Sequence, residues 1–195
     1  MMRFWQIFGY LLEAVVLLAL FFFIGYVIRR IIVDAKRKKT GNYAPFVALP
    51  SAVVNDVIEA LNLGPGAVFY DLGCGDGRVV HAVARSCPGA RCFGIERGFL
   101  PYCIARCRTR RWVPDRVRIV HKDIFGQDLS DATHVFVYLF PALLDTLLPK
   151  LERELKKGAI VVSVDFAFSN KTPARVIELD RASWKLGRKI YVYRI

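Results

Sequence analysis

The stretch that decides the fold is Val68-Phe69-Tyr70-Asp71-Leu72-Gly73-Cys74-Gly75-Asp76-Gly77-Arg78-Val79-Val80. Val68 to Asp71 read as the end of a buried strand, and Arg78-Val79-Val80 opens a helical pattern. Gly73, Gly75 and Gly77 therefore occupy a sharp strand-to-helix turn, where a missing Cβ lets the backbone fold back and a ligand come close. In an open α/β sheet such a turn lies at the carboxyl edge of the strands, where ligands bind.

Outward from the turn, short β-rich runs alternate with helical patterns. Strands are expected at residues 67–71, 91–96, 117–121, 134–139 and 159–166, and helices at 51–61, 77–86, 99–111 and 141–155. Continuous apolar strands joined by helical crossovers imply a parallel sheet covered on both faces. The tail changes character. Residues 175–180 and 189–195 read as two strands without a full crossover helix, so a hairpin there makes the last strand antiparallel.

The chemistry of the loop narrows its ligand. The dinucleotide pattern G-x-G-x-x-G/A needs a small residue at position 78, and Arg78 stands there. Asp71 and Asp76 place negative charge beside the turn, which repels a pyrophosphate and suits an ammonium or a sulfonium. A helix N-terminus can still take a carboxylate. Those three groups describe the methionine half of S-adenosylmethionine. Glu96 closes the second strand about twenty residues after the loop, the position from which an acid grips ribose hydroxyls. Asp123, in Lys122-Asp123-Ile124-Phe125, follows the third strand, where a carboxylate can accept from the adenine amino group while Ile124 or Phe125 covers the ring.

The first forty residues belong to a different environment. From Phe4 to Ile28 the only charge is Glu13, and sixteen residues are Leu, Ile, Val or Phe. At about 1.5 Å per residue this run exceeds the roughly 30 Å hydrocarbon core. It is longer than the apolar core of a signal peptide, and a basic cluster rather than a cleavage site follows it. Residues 1–33 are thus expected to be a single transmembrane anchor, 34–45 a basic juxtamembrane linker and 46–195 the catalytic domain. Six basic residues between Arg29 and Lys39 face only Arg3 on the other flank, which places the domain on the cytoplasmic side of a bacterial inner membrane. Anionic lipid is the expected partner of that run, and a nucleic acid the weaker reading. The 195-residue chain carries a formal +12, of which residues 40–195 contribute +7.

Cys74, Cys87, Cys92, Cys103 and Cys107 are odd in number and lack paired spacing, so buried thiols in a reducing compartment are expected. They suggest no metal site, and His81, His121 and His134 show no ligand spacing.

With these residues in view, the chain resembles the class I S-adenosylmethionine-dependent methyltransferases over residues 46–195. The resemblance implies a Rossmann-like α/β fold, a mostly parallel seven-stranded sheet with an antiparallel last strand. More narrowly it resembles the small protein-lysine methyltransferases, namely the archaeal broad-specificity enzymes and the membrane-anchored mitochondrial enzymes that modify the ATP synthase c-subunit and the adenine nucleotide translocase. The segment Pro50-Ser51-Ala52-Val53-Val54, the loop Asp71 to Arg78 and the run from Leu148 to Leu155 with Gly158 carry this likeness. It implies that Ser51 and its neighbours close over the cofactor, that Asp71, Gly73, Gly75, Glu96 and Asp123 bind it, and, if the source is eukaryotic, a mitochondrial inner membrane. Val137-Tyr138-Leu139-Phe140-Pro141 departs from the Asn/Asp-Pro-Pro-aromatic motif of many amino-methylating enzymes, which weakens an adenine-methylase reading.

Methyl transfer asks mainly for alignment, and a lysine acceptor must first lose a proton from a pKa near 10.4. Tyr138 and Asp165, near the ends of the fourth and fifth strands, are the expected acceptor-side residues, with Phe140 and Phe166 packing beside them. The expected activity is lysine methylation of a membrane or membrane-proximal protein. The alternatives are a lipid or quinone acceptor and an RNA acceptor, the last suggested by Arg106, Arg108, Arg110 and Arg111. A scaffold that kept the fold without the activity is a further alternative.

Overall fold

The computed structural model describes residues 2–39, 47–112, 115–179 and 187–195. It comprises two compact units, residues 1–43 and 44–195. The first is one helix, α1 (Met2–Lys39). Within it, Gln6–Arg29 form a 24-residue stretch whose most apolar 18-residue window has a mean hydropathy of 2.6, and its apolar side chains are exposed. At about 1.5 Å per residue such a stretch is about 36 Å long, enough for a bilayer's hydrocarbon core. The helix continues through Lys39 and so takes in residues 34–39 of the expected 34–45 linker, a stretch that contains no glycine or proline. Residues 40–46, the rest of the linker and the first residue of the expected domain, lie outside the described residues.

The second unit alternates strands and helices: α2 (Ser51–Leu61), β1 (Val68–Leu72), α3 (Arg78–Ser86), β2 (Arg91–Glu96), α4 (Phe99–Trp112), β3 (Val117–His121), a 3-10 turn (Ile124–Gly126), β4 (His134–Val137), α5 (Pro141–Glu154), β5 (Ile160–Val164), β6 (Arg175–Glu178) and β7 (Lys189–Arg194). The seven strands form one sheet in the order β3-β2-β1-β4-β5-β7-β6. β1 to β5 are parallel, and β7 lies antiparallel between β5 and β6. The expected fold is therefore present, a Rossmann-like methyltransferase sheet with its reversed tail.

Local chemistry explains the element ends. α2 stops where Asn62 takes a left-handed φ of 48° and returns its N–H to Ile58 and Glu59 carbonyls. α5 starts with Pro141 in its first turn, where no N–H is needed. β1 is buried at all five positions, as a central parallel strand must be. Core residues lie on both faces of the sheet. Val53, Val57 and Leu61 of α2 meet Phe69, Phe136 and Val162 on one, and Leu144, Leu147 and Leu151 of α5 meet Tyr70, Val135 and Tyr193 on the other. Each fully buried apolar side chain of this kind contributes about 1.5–3 kcal/mol.

The fourth and fifth strands are shorter than expected, ending at Val137 and Val164, so Tyr138 and Asp165 stand just beyond the sheet. The cysteines correct the expectation of uniform burial. Cys74 and Cys92 are buried, Cys87 and Cys103 are partly exposed, and Cys107 is exposed on α4. Helical spacing turns Cys107 away from the buried Ala105 and Thr109.

Candidate active site

β1 delivers Asp71 into the interior, one residue before the strand ends. Its carboxylate accepts the Val80 N–H at 3.2 Å, which ties the strand to the first turn of α3. Burial pushes Asp71 up to about 8; the Val80 hydrogen bond opposes that rise, and the charges of Glu96 and Asp76 add to it. The chain then turns across the end of β2, with the Gly73 and Cys74 N–H groups both donating to the Ile95 carbonyl at 2.8 and 3.0 Å. Gly73, Gly75 and Gly77 all have positive φ. At Gly77 a Cβ would stand 2.6 Å from His81, which α3 packs under the turn.

Glu96 organises the loop from the neighbouring strand. One carboxylate oxygen accepts Gly75 N–H at 2.9 Å, and the other accepts Gly98 N–H. Each oxygen keeps a lone pair, so the carboxylate can also receive two hydroxyls of a ribose. Asp123 accepts Phe125 N–H at 3.0 Å and meets Arg97 at 3.3 Å, which leaves it at the lip of the next cavity.

Asp76 behaves differently from the expectation that it lends its charge to the ligand. Arg78 holds it at 2.8 Å and Arg108, from α4, at 2.7 Å. Burial would raise this carboxyl, but the two guanidinium groups outweigh it and hold the value at about 2. Arg78 also donates to the Leu49 carbonyl at 2.6 Å. Asp76 thus fastens the loop to α4 and to the segment before α2, and the acids left to face a cation are Asp71 and Glu96. Arg108 and Leu49 were not foreseen as site residues. The only sequence signal was an arginine-rich helix end, which cannot reveal which arginine turns inward.

Two adjoining cavities share Gly73 and Leu139. The first, with about 590 Å³ of space partly open to solvent, is lined by Asp71, Gly75, Glu96, Tyr138 and residues 47–49, among others. The second, about 400 Å³, is lined by Arg97, Asp123, Ile124, Phe125 and Leu143. The expected residues Asp71, Gly73, Gly75, Glu96, Asp123 and Tyr138 are thereby brought along one cleft. A cleft of this size, apolar where a base would lie and acidic where an ammonium and a ribose would lie, fits S-adenosylmethionine. At Gly73 a Cβ would approach Leu139 to 3.2 Å, narrowing the passage between the cavities. Ser51 itself lines a neighbouring cavity with Asn55, His81, Arg85 and Arg108, while residues 47–49 of the same segment line the first.

At the first cavity's other wall, Tyr138 donates its hydroxyl to Asp165 at 3.2 Å. Burial, then the Asp165 charge and hydrogen bond, push Tyr138 up to about 12, so it stays a neutral phenol. Asp165 has φ 61°, and its carboxylate also accepts Gly187 N–H and Arg188 N–H, each at 2.7 Å. Two backbone donors thus fix the direction of the Asp165 carboxylate, which in turn holds the Tyr138 phenol. Phe140 and Phe166 pair at 5.7 Å between ring centroids, with Phe140 on the surface.

Comparison with known proteins agrees with this geometry. Residues 71–175 match the ANTKMT methyltransferase domain. The chain is 32% identical to a protein-lysine N-methyltransferase of Saccharolobus islandicus over 154 residues, 78% of this chain and 94% of that one. It is 34% identical to the adenine nucleotide translocase lysine N-methyltransferase of Mus musculus, over 68% of this chain and 58% of that protein, so it spans little more than half of that relative. Among solved structures, an RNA methyltransferase from Salinibacter ruber in complex with S-adenosyl-L-homocysteine superposes with a TM-score of 0.71 at 36% identity, covering 76% of this chain and 94% of that chain.

Proposed function

The chain belongs to the ANTKMT methyltransferase domain family, with S-adenosylmethionine as its methyl donor, and from that premise we propose that it methylates the side-chain amine of a lysine on a protein at a membrane. One observation carries the reading. The cofactor cleft is walled at its methionine end by a neutral phenol, Tyr138, whose hydrogen is already given to Asp165. Its oxygen is left to accept, which suits an uncharged amine bearing N–H donors.

S-Adenosylmethionine supplies an activated methyl on a sulfonium that leaves as a thioether, so no further electrophilic catalyst is required. Asp71, at the bottom of the first cavity, takes the ammonium of the methionine half. Glu96 holds the ribose, and Asp123 with Ile124 and Phe125 holds the adenine. Tyr138 receives an N–H of the acceptor amine and aims its lone pair into the cleft, while Asp165 fixes the direction of the phenol. Desolvation beside a sulfonium favours the neutral amine that this step needs. In this reading residues 1–33 are the anchor, which α1 carries from Met2 on, and residues 46–195 are the catalytic domain. The lysine N-methyltransferase names of the archaeal and murine relatives support the acceptor.

RNA is the second reading, favoured by the name of the Salinibacter relative and by the arginines of α4. One experiment separates them: the whole chain and its Asp71→Ala variant are incubated with methyl-labelled S-adenosylmethionine, native membranes and total RNA. The lysine reading expects label in protein hydrolysates as methyl-lysine, lost in the variant. Label confined to RNA, or to the lipid extract, overturns it.

A further inference from the structure

α4 has two faces of opposite character. Ala105 and Thr109 are buried, and Arg108 reaches Asp76, where the helix packs on β3, β2 and α3. On the opposite face, spaced three, four and seven residues apart, stand Phe99, Leu100, Ile104, Cys107, Arg110 and Arg111, all exposed. Leu100 is 69% exposed, and Phe99 and Ile104 are 48% and 47% exposed. Of the seven large apolar side chains exposed on the described part of residues 44–195, these are three. The apolar ones occupy the N-terminal half of the helix and the arginines the C-terminal half, with Arg106 beside them donating to Tyr102 at 2.7 Å.

The stretch of sequence around α4 is also the most basic in the domain, with Arg97 and Arg108 paired to Asp123 and Asp76 and Arg110 and Arg111 exposed. Residues 97–122 hold seven arginines and Lys122 against Asp115 alone, a net +7, which equals the net charge of residues 40–195. From Arg97 to Pro114 there is no acid at all. A face that joins exposed Leu, Ile and Phe to arginines is what a helix lying in a bilayer interface presents, with the apolar groups below the headgroups and the guanidinium groups among their phosphates. Aliphatic side chains offer a nucleic acid neither stacking nor hydrogen bonds, so a backbone-binding surface would not need Leu100 and Ile104.

We infer that the outer face of α4 docks the catalytic domain on an anionic lipid surface. α4 begins three residues after Glu96 and next to Arg97, which lines the second cavity, so the docked face borders the carboxyl edge of the sheet where the cofactor cleft opens. This contact is separate from the anchor read in α1 and holds whichever acceptor is methylated. It sharpens the reading of the substrate to one presented at the headgroup layer.

Cys107, the exposed cysteine on this face, offers the test. The whole chain, with Cys87 and Cys103 changed to serine, carries a nitroxide at Cys107 and is reconstituted in vesicles of phosphatidylcholine alone or with phosphatidylglycerol. Collision of the label with a water-soluble nickel chelate and with oxygen is then measured. The inference expects the chelate to be excluded several-fold in the anionic vesicles and not in the neutral ones. The paired variants Leu100→Glu/Ile104→Glu and Arg110→Glu/Arg111→Glu should restore full access while S-adenosylhomocysteine affinity stays unchanged. Equal chelate access in both vesicle types overturns it, as does protection of the label by total RNA but not by anionic vesicles. Flotation with neutral vesicles reports on α1 separately, so failure of the anchor and failure of the α4 contact give different results.

Discussion

The half of the sheet that holds β1, β2 and β3 and the half that holds β4, β5 and β7 solve the same problem in opposite ways. In the first, the three acids at the strand ends are set by residues close to them in the chain or on the neighbouring strand's loop: Asp71 by Val80, Asp123 by Phe125, Glu96 by Gly98 and by Gly75. In the second, Tyr138 is set by Asp165, and Asp165 in turn by backbone donors at 187 and 188 beyond the chain reversal. A ligand of fixed shape can be gripped by a short motif. An acceptor site has to be assembled from segments that only the finished sheet brings together.

If that contrast is right, damage to the first half removes the cofactor and damage to the second removes only transfer. The largest effect is expected from Glu96→Ala, which strips the loop of its brace and the ribose of its acceptor. At about 3 kcal/mol for charged hydrogen bonds, S-adenosylhomocysteine should bind on the order of a hundredfold more weakly by calorimetry. An unchanged affinity would break the comparison at its strongest point. Next, Gly77→Ala should cost about 2 kcal/mol in thermal unfolding, since alanine must take φ 80° and its Cβ meets His81. Retained stability would show that the turn relaxes and that its glycines serve the ligand alone.

Tyr138→Phe tests the other half. It should lower the single-turnover methylation rate on the order of tenfold, the worth of one hydrogen bond, while leaving S-adenosylhomocysteine affinity in place. A fall in affinity instead would assign Tyr138 to the cofactor. The smallest effect concerns protons. Asp71 has a folded pKa near 8 against 3.8 for the ordinary carboxyl. Its contribution to stability is therefore fullest below 3.8 and is lost as the pH rises toward about 8. A bound ammonium pulls the value back down, so cofactor binding at neutral pH should release protons and tighten as the pH rises toward that value. Calorimetry in buffers of different ionisation enthalpy measures the release, and Asp71→Asn should abolish it. Binding heats independent of buffer in the unaltered protein would detach Asp71 from the ammonium.

The sequence alone was sufficient for the order of the elements, the reversed tail, the glycine turn and the acids at the ends of β1, β2 and β3. Each of these is written in residues close together: alternation of apolar runs, glycines at every second position, an acid where a strand stops. What it did not reveal is which charges cancel. Asp76 looked like part of the cation site until α4 brought Arg108 across 32 residues to hold it. The likeness to lysine methyltransferases points to Ser51 and the segment around it, and only the structure tells that residues 47–49 of that segment line the cleft, with the Leu49 carbonyl receiving Arg78. Asp165 reads from the sequence as an acid closing an apolar strand, and nothing there shows that Gly187 and Arg188 donate to it from more than twenty residues away. The reason is physical. Backbone preference and hydrophobic periodicity act over one or two turns of chain and leave a local trace, whereas an ion pair or a buried hydrogen bond depends on distances of a few ångströms between segments that only packing sets.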